Sequence, residues 1–231
     1  MGTLNILSNS DAAFIDRKEA GILLAEKLER FQGEETVVLG ILRGGIIVAR
    51  EIAVALNADI DIILSRKIGA PLNPELAIGA VSEDGAMVIN EEIAADTGAD
   101  ALYINEEKER QMTEIRRRGD IFRKVKPKVS LKEKIVIITD DGIATGATMQ
   151  TTIWAVRNEK PKKIILAIPV APQKTVEKLS RDADEVICLK APCYFGSVSN
   201  FFIRFEQIPD ETVLETLKEI NELRDGTSGK T

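Results

Sequence analysis

Between Asp16 and Phe31 the apolar residues Ile22, Leu23, Leu28 and Phe31 fall near helical spacing with charges between them, and Gly33 follows shortly beyond. The pattern predicts an amphipathic helix with a stop signal, packed on a sheet. Residues 36–42 form a short β-branched run, 46–56 carry apolar helical content and 60–64 are apolar again. Strand, helix and strand in that order make a βαβ unit. Residues 76–81 and 86–89 are short extended candidates around Ser82-Glu83-Asp84-Gly85, which reads as a hairpin turn. Residues 100–122 form a long, polar-rich helix candidate. Met112, Ile115 and Phe122 share one side of it, and Glu106/Arg110 and Glu114/Arg118 stand as four-apart ion pairs. After Pro127 come strand 135–139, helix 147–158, strand 163–170, helix 173–181 and strand 185–189. This β/α alternation predicts a mostly parallel sheet. A last amphipathic helix spans 210–223, residues 224–231 read as a frayed tail, and no internal repeat is present.

One stretch of this pattern carries chemistry: Val136-Ile137-Ile138-Thr139-Asp140-Asp141-Gly142-Ile143-Ala144-Thr145-Gly146-Ala147-Thr148-Met149. An apolar strand delivers two adjacent carboxylates into a small-residue turn that opens a helix. Strand ends in α/β sheets point toward ligands, and a Gly/Thr turn at a helix N-terminus offers amides and hydroxyls to phosphate. Paired carboxylates accept two neighbouring sugar hydroxyls or hold a divalent cation. Together these suit a phosphorylated ribose. The plainer reading, that Asp140 and Asp141 only cap a helix, needs just one of them. A Walker-type loop is excluded because no Gly-Lys-Ser/Thr follows the glycines.

Two further turns fall at strand ends. Leu39-Gly40-Ile41-Leu42-Arg43-Gly44-Gly45 follows the first core strand and precedes a helix, so Arg43 and the Gly44 and Gly45 amides would meet an anion at the same sheet edge. Ser65-Arg66-Lys67-Ile68-Gly69-Ala70-Pro71 ends the second strand with two cations, which equally suit a plain surface. In residues 191–202 three Phe and one Tyr crowd into a loop, where Tyr194 and Phe195 either stack on a flat base or help plug the end of the sheet. Between Arg116 and Lys134 the bases Arg116, Arg117, Arg118, Arg123, Lys124, Lys126, Lys128, Lys132 and Lys134 outweigh Asp120 and Glu133. That run serves an anionic ligand or forms a solvated face.

The chain has 231 residues, enough for one domain with an elaboration. Its net charge of −6 argues against a nucleic-acid-coating protein. With no histidine, imidazole acid-base chemistry, Ser-His triads and His-ligated metal sites are impossible. Cys188 and Cys193 fit neither a disulfide framework nor a Cys-x-x-Cys motif, so a reduced pair is expected. No signal segment or membrane span is evident, and the expected location is the cytoplasm.

Residues Asp140 to Thr148 match without a gap the phosphoribosyl-pyrophosphate (PRPP) signature of type I phosphoribosyltransferases, and the chain resembles that family. The resemblance implies an α/β fold with a mostly parallel sheet flanked by helices, a hood and an inserted helical and hairpin segment. It implies a single domain over 1–231, with a core about 36–190, an insertion about 69–128, a hood from 1–15 and 191–209, and a C-terminal helix over 210–223. Asp140 and Asp141 would bind the ribose 2- and 3-hydroxyls, while Gly142, Ala144, Thr145, Gly146, Ala147 and Thr148 would wrap the 5-phosphate. Arg43, Gly44 and Gly45 resemble the family's pyrophosphate loop, which often holds an unusual peptide bond. Arg66 and Lys67 would also meet pyrophosphate, with a closing loop from Gly69 onward. The implied reaction is transfer of ribose 5-phosphate from PRPP to a nitrogenous acceptor, with pyrophosphate leaving. Asp140, Asp141 and Lys67 would carry it. Mg2+ would be held mainly by the substrate's own oxygens and indirectly by the two acids. A hood containing Tyr194 and Phe195 would receive the acceptor, and relatives commonly pair into dimers. Ala144 replaces the acid that 6-oxopurine enzymes carry before Thr-Gly, which disfavours hypoxanthine and guanine. The Arg-Gly-Gly, Arg-Lys-Ile-Gly-Ala-Pro and Glu-Leu-Ala-Ile-Gly-Ala stretches resemble most a branch of uncharacterised acceptor. The rival reading is a PRPP-binding regulator without turnover, whose 116–134 segment touches RNA, DNA or protein.

Overall fold

The structure, a computed structural model, describes residues 2–228, apart from the side chains of Glu75, Asn221 and 223–228. In chain order the elements are β1 (Thr3–Ile6), α1 (Arg17–Leu28), β2 (Thr36–Gly40), α2 (Gly45–Leu56), β3 (Asp59–Ile62), β4 (Ser65–Ala70), β5 (Asn73–Ser82) and β6 (Met87–Ile89). They continue as α3 (Glu91–Asp96), α4 (Ala101–Phe122), β7 (Ile135–Thr139), α5 (Ala147–Asn158), β8 (Lys163–Val170), α6 (Gln173–Leu179), β9 (Glu185–Lys190) and α7 (Asp210–Ser228).

Six strands form one sheet in the order β1-β9-β8-β7-β2-β3, and every pairing is parallel. Parallel strands covered on both faces must be apolar throughout. In β2 and β7 every residue is buried, and alternate residues feed opposite layers. Val38 and Ile137 pack with Leu24, Ile46 and Ile52 of α1 and α2. Val37, Leu39, Val136 and Ile138 pack with Ile153 and Val176 of α5 and α6. The chain turns from β2 outward to β3 and from β7 outward to β8, so β2 and β7 flank a topological switch point, where α/β sheets bind ligands beyond the strand ends.

The insertion is a second, antiparallel sheet, β4-β5-β6, backed by α4. It begins at Ser65, earlier than the residue 69 boundary expected. Tyr103 donates to the Gly69 carbonyl (2.9 Å), fastening α4 to β4. Arg123, just past α4, bonds Asp61 of β3 (2.6 Å), Glu83 (2.8 Å) and the Ile62 carbonyl (3.2 Å), tying the inserted unit to the main sheet.

Four expectations require correction. Residues 3–6, assigned to the hood, form an edge strand on β9; four half-exposed residues are too short a run to show periodicity. Helix α3 was not foreseen, although Asn90 caps it by accepting from the Ile93 amide (3.1 Å). The ion pairs of α4 are Glu107–Arg110 (2.5 Å) and Glu114–Arg117 (3.2 Å), three apart, instead of Glu106/Arg110 and Glu114/Arg118. Both spacings make neighbours on a helix, and half-buried Arg118 lines a cavity instead of pairing with Glu114. Helix α7 runs on to Ser228, so the frayed tail does not begin at residue 224; positions 229–231 of that reading lie outside the described residues. Among the described residues no helix is long and apolar enough to cross a membrane.

Candidate functional site

The end of β7 is fixed by Thr139, whose buried hydroxyl donates to the Ala167 carbonyl of β8 (2.7 Å). Asp140 and Asp141 therefore emerge at the carboxyl edge of the sheet, and Asp140 Oδ1 accepts the Asp141 amide (2.8 Å). The following turn is pinned on its far side. The Ile143 amide donates to Val170 O (2.9 Å) and Thr175 Oγ1 donates to Ala144 O (2.9 Å). Gly146 adopts φ +80°, a conformation only glycine takes freely, and opens α5. Ala144, Thr145 and Thr148 are left exposed at the helix N-terminus, whose first-turn amides have no intrahelical acceptors.

The second turn meets this one. Ile41 donates to Thr139 O (2.9 Å), the Leu42–Arg43 peptide bond is cis, and Gly44 and Gly45 press against the acids. A side-chain carbon at Gly44 would collide with the Asp141 carboxylate, and one at Gly45 would lie 2.8 Å from Asp140 Cα. Glycine is required here by close approach. The Arg43 guanidinium lies 3.9 Å from Asp210 at the start of α7. Arg66 and Lys67 belong to a different wall: with Leu42 and Thr148 they line a cavity of about 400 Å3 that neither acid lines. The anticipated pyrophosphate set is thus divided between two neighbouring places.

The phosphoribosyl transferase domain family matches residues 15–205. The chain belongs to the type I phosphoribosyltransferases. It is 39% identical over 204 residues to Rv0571c of Mycobacterium tuberculosis H37Rv, provisionally named a phosphoribosyl transferase, and MT0597 of strain CDC 1551 matches equally. Those alignments cover 88% of this chain but 46% of the relatives, so the chain spans about half the length of the curated relatives it matches. The crystal structure of TT1426 from Thermus thermophilus superposes with a TM-score of 0.85 at 41% identity, covering 90% of this chain and 98% of that one.

One residue that sequence reasoning missed stands at the centre of the site. Arg17 is 7% exposed; its Nε bonds Asp141 Oδ2 (2.8 Å), its Nη1 donates to the Glu206 carbonyl (3.0 Å) and its guanidinium lies 3.8 Å over the Phe205 ring. It joins α1, the acid pair and the hood. A signal was present: a cation in the first turn of a helix opposes the macrodipole unless it is paired. The Asp140 carboxyl is held well above the usual carboxylate range, first by burial and then by the Asp141 charge beside it.

The aromatic loop is mainly core. Phe201 and Phe202 are buried, Phe202 packs on Phe14 and Phe205, and half-buried Phe195 stacks on Phe201 at 5.2 Å. Tyr194 is 82% exposed. Val198 of the same loop packs over Gly142, bringing the hood to the acid corner. The basic run at 116–134 is divided: Arg116, Arg117, Lys124, Lys128 and Lys132 are exposed, while Arg123 serves Asp61 and Glu83, Lys128 pairs with Glu159 (3.0 Å) and Lys134 with Asp59 (3.8 Å).

Proposed function

We propose that the chain transfers the 5-phosphoribosyl group of PRPP to a nitrogenous acceptor and releases pyrophosphate. The observation that carries this reading is the convergence of Asp140 and Asp141, the glycine turn at 44–45 and the open threonine turn at the N-terminus of α5. In this reading Asp140 and Asp141 accept the ribose 2- and 3-hydroxyls. The turn from Gly142 through Ala144, Thr145, Gly146, Ala147 and Thr148 receives the 5-phosphate on its amides and hydroxyls. Arg43, Gly44 and Gly45 face the diphosphate, with Arg66 and Lys67 as cations beside it. The bond from C1 to the diphosphate oxygen breaks, the oxygen keeps the electron pair, and the acceptor nitrogen bonds C1 and releases its proton. The carboxylates offset the positive charge that develops at C1, and Lys67 stabilises the leaving group. We place the acceptor beside the hood, near Tyr194 and Phe195.

The acid corner fits Mg2+ only together with substrate oxygens. Among the described residues no group of three or more His, Cys, Asp or Glu is placed to hold a metal, and Asp141 is engaged by Arg17. Asp140 accepts the Asp141 amide at Oδ1 and would share its carboxylate with substrate oxygens in such a site. Bound there, Mg2+ would neutralise charge on the diphosphate. Titration calorimetry with PRPP and Mg2+ tests the assignment. Asp140→Asn with Asp141→Asn should abolish binding, and unchanged affinity would refute it. A panel of bases and amines scored for pyrophosphate release separates transfer from a silent regulator. We assign no nucleic-acid role to 116–134, because Arg117, Arg123, Lys128 and Lys134 are each paired with an acid of the same chain.

A further inference from the structure

The cavity beside the donor corner is built by the inserted unit. Helix α4 turns Glu107, Arg110, Gln111 and Arg118 toward it, the three- and four-residue spacing of one helical face. The N-terminal half of α5 supplies Thr148, Thr151 and Thr152 opposite. Ile63, Leu64 and Ile115 form the apolar part of the lining, and the cations Arg66, Arg110 and Arg118 share the rest with the threonines.

The charges are arranged to leave a positive remainder. Buried Glu107 is answered by Arg110 (2.5 Å) and accepts from Gln111 Nε2 (2.7 Å). The Gln111 oxygen in turn accepts from Arg66 Nε (2.9 Å), so a relay of hydrogen bonds orients the Arg66 guanidinium at the cavity wall. Half-buried Arg118 has no ion pair among the described residues. A guanidinium drawn from water and left without an anion is unfavourable, and its planar fork matches phosphate oxygens. A volume of about 400 Å3 exceeds what one orthophosphate fills and suits a pyrophosphate or a phosphorylated small molecule. Thr148 belongs both to this cavity and to the turn assigned to the donor 5-phosphate, so the two places adjoin.

We infer that the cavity binds a phosphate-class anion of about pyrophosphate size, clamped by Arg118 and Arg66 with the α5 threonines opposite. The inserted helix is thereby part of the substrate site. The inference rests on the transfer reading only for the identity of the anion, which is the donor's diphosphate or a phosphate carried by the second substrate.

The test is calorimetry on the full chain with inorganic pyrophosphate and, separately, PRPP with Mg2+. The variants are Arg118→Gln, Arg118→Lys and, as a control on an exposed position of the same helix, Arg116→Gln. Arg118→Gln should weaken pyrophosphate binding at least about tenfold with an unchanged melting temperature, Arg118→Lys should recover part of it, and Arg116→Gln should match wild type. An equal loss for PRPP identifies the donor's diphosphate as the anion. Wild-type PRPP affinity alongside the pyrophosphate loss assigns the anion to the second substrate. Failure of the wild type to bind pyrophosphate, or full binding by Arg118→Gln, overturns the inference. Pyrophosphate binding without any PRPP binding would instead overturn the donor reading and leave the anion site standing.

Discussion

Arg17 concentrates three jobs on one side chain: it partners Asp141, lies against the Phe205 ring and bonds the hood backbone at Glu206. Removing one member of a buried ion pair strands the other, at a cost of about 3 kcal/mol. Arg17→Gln should therefore lower the melting temperature. It should also weaken PRPP binding by about tenfold or more, because Asp141 would then face Asp140 with no cation between them; melting and calorimetry together check this, and wild-type affinity would show that Arg17 is only structural. The two thiols give a second residue-scale prediction. Burial in β9 pushes the Cys188 thiol up to about 12, whereas Cys193 is exposed. At pH 8 a thiol reagent should label one cysteine per native chain and two after denaturation. Above about pH 9 the unfolded chain loses the Cys188 proton while the folded chain keeps it, so stability falls as pH rises toward 12, by up to about 1.4 kcal/mol per unit. Cys188→Ala should flatten that part of the denaturation profile relative to wild type.

At the scale of elements, the hinge between the two sheets is ionic. Asp61, 2% exposed, is held by Arg123 and by the amides of Val129 and Ile62, yet burial still keeps its carboxyl above the ordinary range. Arg123→Gln should destabilise by about 3 kcal/mol at neutral pH. The deficit should shrink in acid, because a protonated Asp61 needs no cation. Urea denaturation at two pH values measures both, and an equal loss at each would show that the pair matters through packing alone. This hinge explains what the sequence could and could not disclose. Strands such as β7, apolar from end to end, and α4, with its long period, announce themselves locally. Edge strand β1, six-residue α3 and the partners of Arg123 are set by contacts distant in the chain. The site divides the same way: the acids and the phosphate turn are contiguous from 140 to 148, whereas Arg17 and the α4 face of the cavity meet them only after folding.

For the whole molecule, the switch point between β2 and β7 gathers the hood, the acid corner and the inserted unit around one edge of the sheet. The acids, the glycine turn and Arg17 each come from a different element, so a donor bound there bridges segments that must separate on unfolding. A ligand held only by the folded state stabilises it by mass action, about 2.7 kcal/mol at a hundredfold excess over Kd. In a chain of 231 residues that raises the melting temperature by roughly 5–10 °C. PRPP with Mg2+ should produce this shift, and Asp140→Asn with Asp141→Asn should abolish it while the ligand-free protein still melts cooperatively. Ribose 5-phosphate, which keeps the hydroxyls and the 5-phosphate but lacks the diphosphate, should give a smaller shift. If it matches the PRPP shift at the same concentration, the diphosphate makes no net contact with Arg43, Arg66 or Lys67, and the division of the site between donor corner and cationic cavity must be redrawn.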